Sequence, residues 1–464
     1  MIKDTARRIS RRIYFSSPAS AQKLMLNLIP KQRLFRKHLR ELEKNQWFSA
    51  EQLEELQSEK LKQIIHHAYA NVPYYRKTFD ERGLKPDDIK CPKDLGRLPI
   101  LTKDDIRQHF KELQASNIEQ YKPYLSYSGG STGKPLEFYN DKIFHWAENL
   151  MFARSRHWFL LYPEHPKRVI MRYQTDFAPV DEGVAPHYQV DNALYLSAFH
   201  LKSSNLDDYI NRIRGFKPQL IWSFASTLYV LAQHIREKEL SPILTLRAIR
   251  TSAETLLPHF RKVIEEAFGV KIYDHYGCNE GVVRASECPN GSRHIDVEYG
   301  ILDIVDPDGM AVPIGKPGIV IGTSLNKYAM PLIRYRLGDI AILSDKSCSC
   351  GRGLPVLASV EGRLDDLIVT KDGCLVGRLD EAFHSSFGIK MSQIIQEEVG
   401  SIVVRIVKRP SYSNDDVKIL DTELKKRLGE DMSIEYRFVD DIERVGRGKY
   451  RFVLSKIDIA RLYQ

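Results

Sequence analysis

The chain contains no run of about 18 or more apolar residues, so a membrane-spanning helix is not expected. Its N-terminus has basic residues but lacks an apolar core of about 7–15 residues with a small-residue cleavage site, and a signal peptide is not expected either. Cysteine is scarce, six in 464 residues, which argues against a disulfide framework and makes the cytoplasm the expected compartment. Internal repeats and low-complexity segments are missing. A spread basic surface is missing too. The net charge is +9, but residues 1–48 hold 12 Lys/Arg against 3 acids, and the rest has 57 of each. The basic character therefore belongs to an N-terminal arm, residues 1–48. In the arm, Arg7, Arg8, Arg11 and Arg12 alternate with Ile9, Ile13, Tyr14 and Phe15. Such a segment reads first as a solvated basic helix packed on the body, with contact to an anionic membrane surface as the alternative. No recognition module follows it, so nucleic acid is not an expected partner.

What is present is a long soluble-type chain, with 43% hydrophobic and 28% charged residues, enough for two or three domains. Helical spacing of Leu53, Leu56, Leu61 and Ile64 predicts helices over 50–120, punctuated by Pro73, Pro86, Pro92 and Pro99. Over 121–330 apolar runs alternate with amphipathic stretches. Val169–Met171, Leu220–Trp222 and Ile249–Thr251 read as strands; Tyr209–Gly215, Ser226–Lys238 and Pro258–Phe268 read as helices. That alternation predicts an α/β fold with a largely parallel sheet. Residues 297–343, with Gly300–Val305, an Asp306-Pro307-Asp308-Gly309 turn and Gly318–Thr323, predict a small barrel-like part or an antiparallel sheet. After Asp365 a strand at Ser401–Lys408, a helix at Asp415–Leu428 and a strand at Ser433–Val439 predict a small α+β domain. The expected organisation is an arm (1–48), a large N-terminal core domain (49–364) and a C-terminal domain (365–464).

The glycine-rich loop Ser128-Gly129-Gly130-Ser131-Thr132-Gly133-Lys134-Pro135 is a candidate phosphate cradle. Its glycines let backbone N–H groups approach an anion, the hydroxyls of Ser128, Ser131 and Thr132 add donors, and Lys134 adds charge. A Walker-A loop is excluded. Counting back from Gly133, its first glycine position holds Ser128, and Pro135 stands where its magnesium-binding hydroxyl belongs. Alone, the loop also reads as an ordinary Gly/Ser turn.

It does not stand alone. Tyr276-Gly277-Cys278-Asn279-Glu280, Tyr335-Arg336-Leu337-Gly338-Asp339, Gly362-Arg363-Leu364-Asp365-Asp366 and Gly448-Lys449 follow in that order. Together with the loop they resemble the signature segments of the adenylate-forming (acyl-CoA synthetase) superfamily, over about residues 60–456. The resemblance implies ATP-dependent activation of a carboxylic acid as acyl-AMP. It implies that Ser128–Lys134 hold the triphosphate, Tyr276 and Gly277 with Ser252-Ala253-Glu254 lie against adenine, Asp339 takes the ribose hydroxyls, and Arg363 pairs with ribose or phosphate. Glu280 would hold Mg²⁺, which prefers one or two carboxylates plus phosphate oxygens. Lys449 would neutralise charge building between the acid and the α-phosphate. In the family the C-terminal domain is mobile and turns about a hinge, which Asp365 matches.

Cys288 and His294, with Cys348-Ser349-Cys350-Gly351-Arg352, offer three thiolates and an imidazole, a set suited to structural Zn²⁺. The set resembles the phenylacetate–CoA ligase-like branch. CoA users of that branch follow the hinge with an Arg-Gly and an Asn-Val-Phe-Pro-like stretch; here the chain reads Val369-Thr370-Lys371-Asp372-Gly373-Cys374-Leu375-Val376-Gly377-Arg378. This pattern, with Ile394–Glu397 and Val404–Val407, looks more like CapK-type proteins, which are associated with surface-polysaccharide synthesis. The resemblance implies a glycan or lipid-linked acceptor. An aryl-acid CoA ligase, with CoA as cofactor, and a non-catalytic nucleotide-binding scaffold are the alternatives. The acid itself is not named by the sequence. His145, Trp146, Phe224, Ala225, and His275 or Cys278 are the expected pocket residues, and no charged residue among them points to a specific partner.

Overall fold

The computed structural model describes residues 30–128, 136–160, 165–172, 181, 184–198, 201, 203–363, 368–371, 375–376, 379–383, 388–443 and 451–457. The chain opens with helix α1 (Pro30–Asn45), α2 (Ala50–Asn71), α3 (Pro73–Glu81) and the short α4 (Lys103–Gln108). Ser49 starts α2 with a capping box: its hydroxyl accepts from Gln52 N, and the Gln52 side chain accepts from Ser49 N. Of the basic arm, residues 32–48 pack on the body. Leu39 and Leu42 of α1 are buried in one cluster with Phe144, Leu150, Met151 and Ala153 of the helix at Lys142–His157, and Glu43 pairs with His157 at 2.6 Å.

A hairpin follows, β1 (Tyr124–Tyr127) and β2 (Glu137–Asn140), then α5 (Lys142–His157). The α/β part then runs β3 (Arg168–Arg172), β4 (His187–Val190), β5 (Ala193–Ser197), α6 (Leu206–Phe216), β6 (Leu220–Ser223), α7 (Ala225–Glu237), β7 (Ala248–Ser252), α8 (Pro258–Phe268) and β8 (Ile272–Gly277). The predicted strands and helices of this stretch are all present, with ends shifted by a few residues at most. Strands β5, β3, β6, β7 and β8 lie side by side in parallel. At β8 the pairing turns antiparallel and continues through β9 (Arg284–Glu287), β10 (Arg293–Ile295), then β14 (Val356–Arg363), β13 (Tyr335–Leu343), β12 (Pro317–Ser324) and β11 (Gly300–Val305). With β4 on the far edge this makes one sheet of 12 strands. Of the two forms expected for residues 297–343, the antiparallel sheet is the one found: β11 pairs only with β12 among the described residues.

The sheet has a different cover on each face. Apolar residues of β3, β5, β6, β7 and β8, such as Met171, Leu196, Ile221, Ile249 and Ile272, pack with α6, α7 and α8 in one buried cluster. Helices α2 and α3 share a second cluster with the antiparallel strands. On the parallel strands' other face lies α5, and its Arg154 is fully buried. That guanidinium reaches Asp296 at 2.5 Å and Glu298 at 2.9 Å, between β10 and β11, and donates to Leu42 O of α1. Arg284 bonds the other Asp296 oxygen at 2.7 Å.

Beyond the short pair β15 (Ile368–Val369) and β16 (Leu375–Val376), the C-terminal unit is the expected α+β type. Strands β17 (Ile389–Gln396), β18 (Ser401–Lys408), β19 (Ser433–Phe438) and β20 (Val453–Ser455) form a sheet in the order β19-β18-β17-β20. Its core is shared with α9 (Asn414–Leu428), through Leu420, Leu424 and Leu428.

Breaking a buried ion pair from one side leaves an uncompensated charge. Arg154→Leu is therefore expected to lower the unfolding free energy by about 3–5 kcal/mol, read from urea denaturation. A loss below about 1 kcal/mol would show that Asp296 and Glu298 re-pair elsewhere.

Candidate active site

The parallel strands end their C-termini in one row, and in open α/β sheets ligands bind in the crevice there, where the strand order reverses. Here the reversal falls between β3 and β6: the chain moves outward from β3 to β5, then crosses back to β6, β7 and β8. Three of the motif segments follow strand ends in this row or face it.

Ser252-Ala253-Glu254 leaves β7. Ala253 has φ +68°, a left-handed backbone that costs a residue with a Cβ roughly 1–2 kcal/mol. The strain turns the chain sharply, so that Ser252 Oγ accepts from Trp222 Nε1 at 3.1 Å and Glu254 accepts from Ser226 N and Oγ at 3.0 and 3.1 Å. Glu254 thus caps the first turn of α7.

Tyr276 and Gly277 close β8, and Glu280 follows, nearly buried. Tyr335 and Asp339 lie on β13. The two segments are bonded reciprocally. Tyr276 Oη donates to Asp339 Oδ2 at 2.7 Å, and Tyr335 Oη donates to Glu280 Oε1 at 3.2 Å. Each tyrosine therefore holds the other segment's carboxylate in place.

The hairpin joins the same assembly. Asn279 Nδ2 donates to Tyr127 O at 3.3 Å, and Asn140 Nδ2 donates to Ser126 Oγ at 3.1 Å. At the hairpin's open end Ser128 N donates to Leu136 O at 2.9 Å and Leu136 N donates to Ser128 Oγ at 3.0 Å. Ser128 is the last rung before the glycine-rich loop. Gly129, Gly130, Ser131, Thr132, Gly133 and Lys134 lie outside the described residues, as do Asp365 and Lys449. Arg363 is described by its backbone, which pairs with Asp339 between β14 and β13.

Beneath Glu280 sits a group that sequence reading missed. Lys327 is fully buried; its Nζ donates to Glu280 O at 3.0 Å and lies 4.6 Å from the Phe138 ring centre. Burial pushes its pKa down to about 8, partly offset by Glu280 and Asp141. Asp141 accepts from Phe144 N at the start of α5 and from Tyr328 N and Ala329 N, so it ties α5 to the lysine's own turn. A lysine next to Asn326 carries no periodic or motif signal, which is why it was passed over.

The predicted metal set comes together. One ligand atom from each of Cys288, His294, Cys348 and Cys350 lies within 4.8 Å of all the others. The Cys288 and Cys348 sulfurs are 3.7 Å apart, and Cys350 Sγ is 3.2 Å from His294 Nε2. Ligands about 2.0–2.3 Å from a tetrahedral ion stand roughly 3.3–3.8 Å apart, so the set fits a closed Zn²⁺ site. His294 Nδ1 is 3.0 Å from Leu354 O, which leaves Nε2 for a metal. The next turn grips the end of α1: Gly353 N donates to Gln46 O, and Gln46 Oε1 accepts from Trp158 Nε1 at 2.7 Å and Arg352 Nε at 3.2 Å. A Cβ at Gly353 would stand 1.8 Å from Phe48 O, so this approach requires glycine.

Of the expected pocket residues, His275 lies 5.2 Å from Phe152 of α5, and Phe224 and Ala225 are buried at the start of α7. His145 is exposed on α5, and Trp146 packs edge-on against Phe35 of α1 at 5.3 Å.

Known proteins resemble this chain in sequence and in fold. A family model described as the CapK C-terminal domain matches residues 368–456. Phenylacetate-coenzyme A ligase of Thermus thermophilus is 30% identical over 336 residues, 69% of this chain and 72% of that protein. Protein CapK of Staphylococcus aureus is 25% identical over 466 residues, 96% of this chain and 99% of its own length. The solved structure of 2-hydroxyisobutyryl-CoA ligase in the postadenylation state with 2-HIB-AMP matches with a TM-score of 0.70 at 18% identity, covering 90% of this chain and 92% of that one. The fold and the motif-bearing site define an adenylate-forming ligase. Within that class the chain belongs to the phenylacetate–CoA ligase-like family, and its C-terminal domain is of the CapK type.

Lys327 generates a pH prediction. Its folded pKa, about 8, lies below the ordinary 10.5, so the charged form is penalised in the fold at pH 7. The penalty is lost as pH rises from 8 towards 10.5, where the unfolded chain also loses the proton. Relative to Lys327→Met, the wild type is expected to gain about 1.4 kcal/mol of stability per pH unit across that window. Denaturation of both proteins at pH 7 and 10 checks this, and a pH-independent difference contradicts it.

Proposed function

We propose that this protein activates a carboxylic acid with ATP as an acyl-AMP and passes the acyl group to a nucleophile other than CoA, a glycan or lipid-linked acceptor of surface-polysaccharide synthesis. The observation that carries the adenylation half is the reciprocal bonding of Tyr276 to Asp339 and Tyr335 to Glu280. It joins two acids at one end of the sheet, beside the hairpin whose sequence continues into the glycine-rich loop.

In this reading Asp339 accepts the ribose hydroxyls, and Ser252, Ala253, Glu254, Tyr276 and Gly277 frame adenine. Glu280, one oxygen bonded by Tyr335, keeps the other for Mg²⁺. Mg²⁺ there would neutralise phosphate charge. Ser128–Lys134 cradle the β- and γ-phosphates, and Arg363 supports the ribose or the phosphates. An oxygen of the acid forms the new bond to the α-phosphorus as the bond to pyrophosphate breaks. Lys449 neutralises charge on both reacting groups during that exchange, delivered by a C-terminal domain that turns about Asp365. Cys288, His294, Cys348 and Cys350 would hold Zn²⁺ in a structural part, because the set is closed by four protein ligands and the turn after it, Arg352–Gly353, bonds Gln46. The acceptor reading is supported by the match to CapK along almost the whole chain and by the C-terminal family match. A CoA ligase is the second reading, favoured by the identity to phenylacetate-coenzyme A ligase. Basic residues of the arm suit an acceptor held at an anionic membrane. Among the described residues no helix is long and apolar enough to cross one.

ATP–pyrophosphate exchange over aryl, amino and uronic acids tests adenylation. Acid-dependent exchange is expected, and Lys449→Ala should cut it about 10²–10³-fold; unchanged exchange in that variant removes the lysine from the chemistry. Acyl-CoA formation at the rate of adenylation would decide for the second reading. For the metal, one equivalent of zinc by mass spectrometry of the native protein is expected, and Cys348→Ser with Cys350→Ser should lose both the zinc and several degrees of melting temperature. A metal-free native protein of full stability would refute the zinc assignment.

A further inference from the structure

The floor of the crevice carries a charge that the proposed chemistry does not use. Arg250 stands in the middle of β7, two residues before Ser252, hence about 6.6 Å below the strand end where the nucleotide segments gather. Fully buried parallel strands are normally near-continuous apolar runs. This one reads Ala248-Ile249-Arg250-Thr251-Ser252, and Arg250 is 4% exposed. Its guanidinium lies between the faces of Phe152 and Phe159 of the α5 region, 5.3 and 5.4 Å from the ring centres. Among the described residues its only hydrogen bond is to Ser155 Oγ, at 2.8 Å. No carboxylate among them pairs with it. Asp296 and Glu298 are taken by Arg154, and Asp296 also by Arg284. Three buried arginines thus face two buried carboxylates, and Arg156 adds a further positive neighbour. Burial, together with Arg284 and Arg156, disfavours charge on Arg250, yet a guanidinium cannot shed its proton at any accessible pH. The guanidinium therefore needs an anion.

Phe152, Trp222 and His275 are each only partly buried, with Phe152 4.9 Å from Trp222 and 5.2 Å from His275. They belong to α5, β6 and β8, on the side of the sheet that α5 covers. An acid whose reacting carboxylate sits at the strand ends would extend its other end past these partly buried rings, towards Arg250.

We propose that the acid activated by this protein carries a second anionic group at its far end, a carboxylate or phosphate, which Arg250 binds between Phe152 and Phe159. This rests on the adenylation reading and names the substrate class for it. The aromatic walls accept a short apolar or ring-shaped middle, and the far anion completes the charge balance of the arginine cluster.

The test compares acids of equal length that differ only at the far end: pentanoate with glutarate, hexanoate with adipate, 4-methylbenzoate with terephthalate. In ATP–pyrophosphate exchange the wild type should favour the diacid in kcat/KM by about tenfold or more. Arg250→Met should reverse that preference, and Arg250→Lys should keep part of it. A wild type that prefers the methyl-ended acids, or a ratio unchanged in Arg250→Met, overturns the proposal. If neither member of any pair drives exchange, adenylation of such acids fails, and the pocket is judged separately by tryptophan fluorescence, with Trp222→Phe as control. A saturable change on adding adipate or terephthalate, lost in Arg250→Met, supports the anion site; no change with any diacid overturns it.

Discussion

Two hydroxyl-to-carboxylate bonds hold the site together, Tyr276 to Asp339 and Tyr335 to Glu280. They join segments 55 to 63 residues apart, one ending the parallel half of the sheet and one within the antiparallel half. The two halves differ in how their strands connect. Parallel strands need crossover helices, which cover a face; antiparallel strands need only short turns. At β8 the chain changes from one rule to the other, and the turn after β8 is therefore free of a crossover helix. That freedom leaves Cys278–Glu280 exposed to the hairpin on one side and to β13 on the other. The reciprocal bonds add to the Lys327 bond to the Glu280 carbonyl and to the β13–β14 pairing in fixing the spacing of the two carboxylates. Hydrogen bonds to carboxylates are among the stronger ones, and these also spread each negative charge onto a neutral partner.

Much of this was legible in the sequence because it is local. Strands at Val169–Met171, Leu220–Trp222 and Ile249–Thr251 and helices such as Pro258–Phe268 follow from apolar periodicity and proline or glycine ends. Pro258 starts α8, and Gly269 ends it with φ +69°. The four metal-set residues were legible from residue type, since a buried Cys/His group has few other uses. The partners were not legible. Nothing in Tyr335 says that its hydroxyl belongs to Glu280 rather than to its own segment's Asp339. Likewise the sequence of α1 shows a basic arm, whereas the Glu43–His157 and Gln46–Trp158 bonds that dock it depend on where α5 ends. Arg250 went unremarked because one arginine inside a strand pattern reads as an alternating polar position, and only the cover of α5 makes that position interior.

Buried cations recur around the crevice, and each is managed differently. Arg154 meets two carboxylates and is structural. The Lys327 nitrogen donates to a carbonyl and lies against aromatic faces, and its pKa falls because Glu280 and Asp141 offset only part of the burial. Arg250 cannot respond in that way. Lysine can give up its proton when desolvated; a guanidinium cannot. The fold therefore tolerates Lys327 without a counter-ion at high pH but has no such escape at Arg250. This contrast separates a lysine that supports a turn from an arginine that calls for a ligand.

The placement of these groups also orders recognition and chemistry. Arg250, Phe152, Trp222, His275, Glu280 and Asp339 all belong to the sheet and the helix that covers it, fixed by the Arg154 network and by the metal-set turn that clamps the end of α1. The lysine assigned to the reacting atoms, Lys449, comes from beyond Asp365, in another unit of the chain. On that proposal an acid would be measured for length and far-end charge at the floor before Lys449 acts on it. Selection at the floor acts on the ground state and the transition state alike, so it sets which acid enters. In the proposed reaction the lysine would act only where charge builds on the oxygens, so it would set how fast that acid reacts. The division explains why the motifs could announce the reaction while leaving the acid unnamed: the motifs serve the half shared by every substrate, and the floor residue that distinguishes substrates sits one pleat deeper, outside all of them.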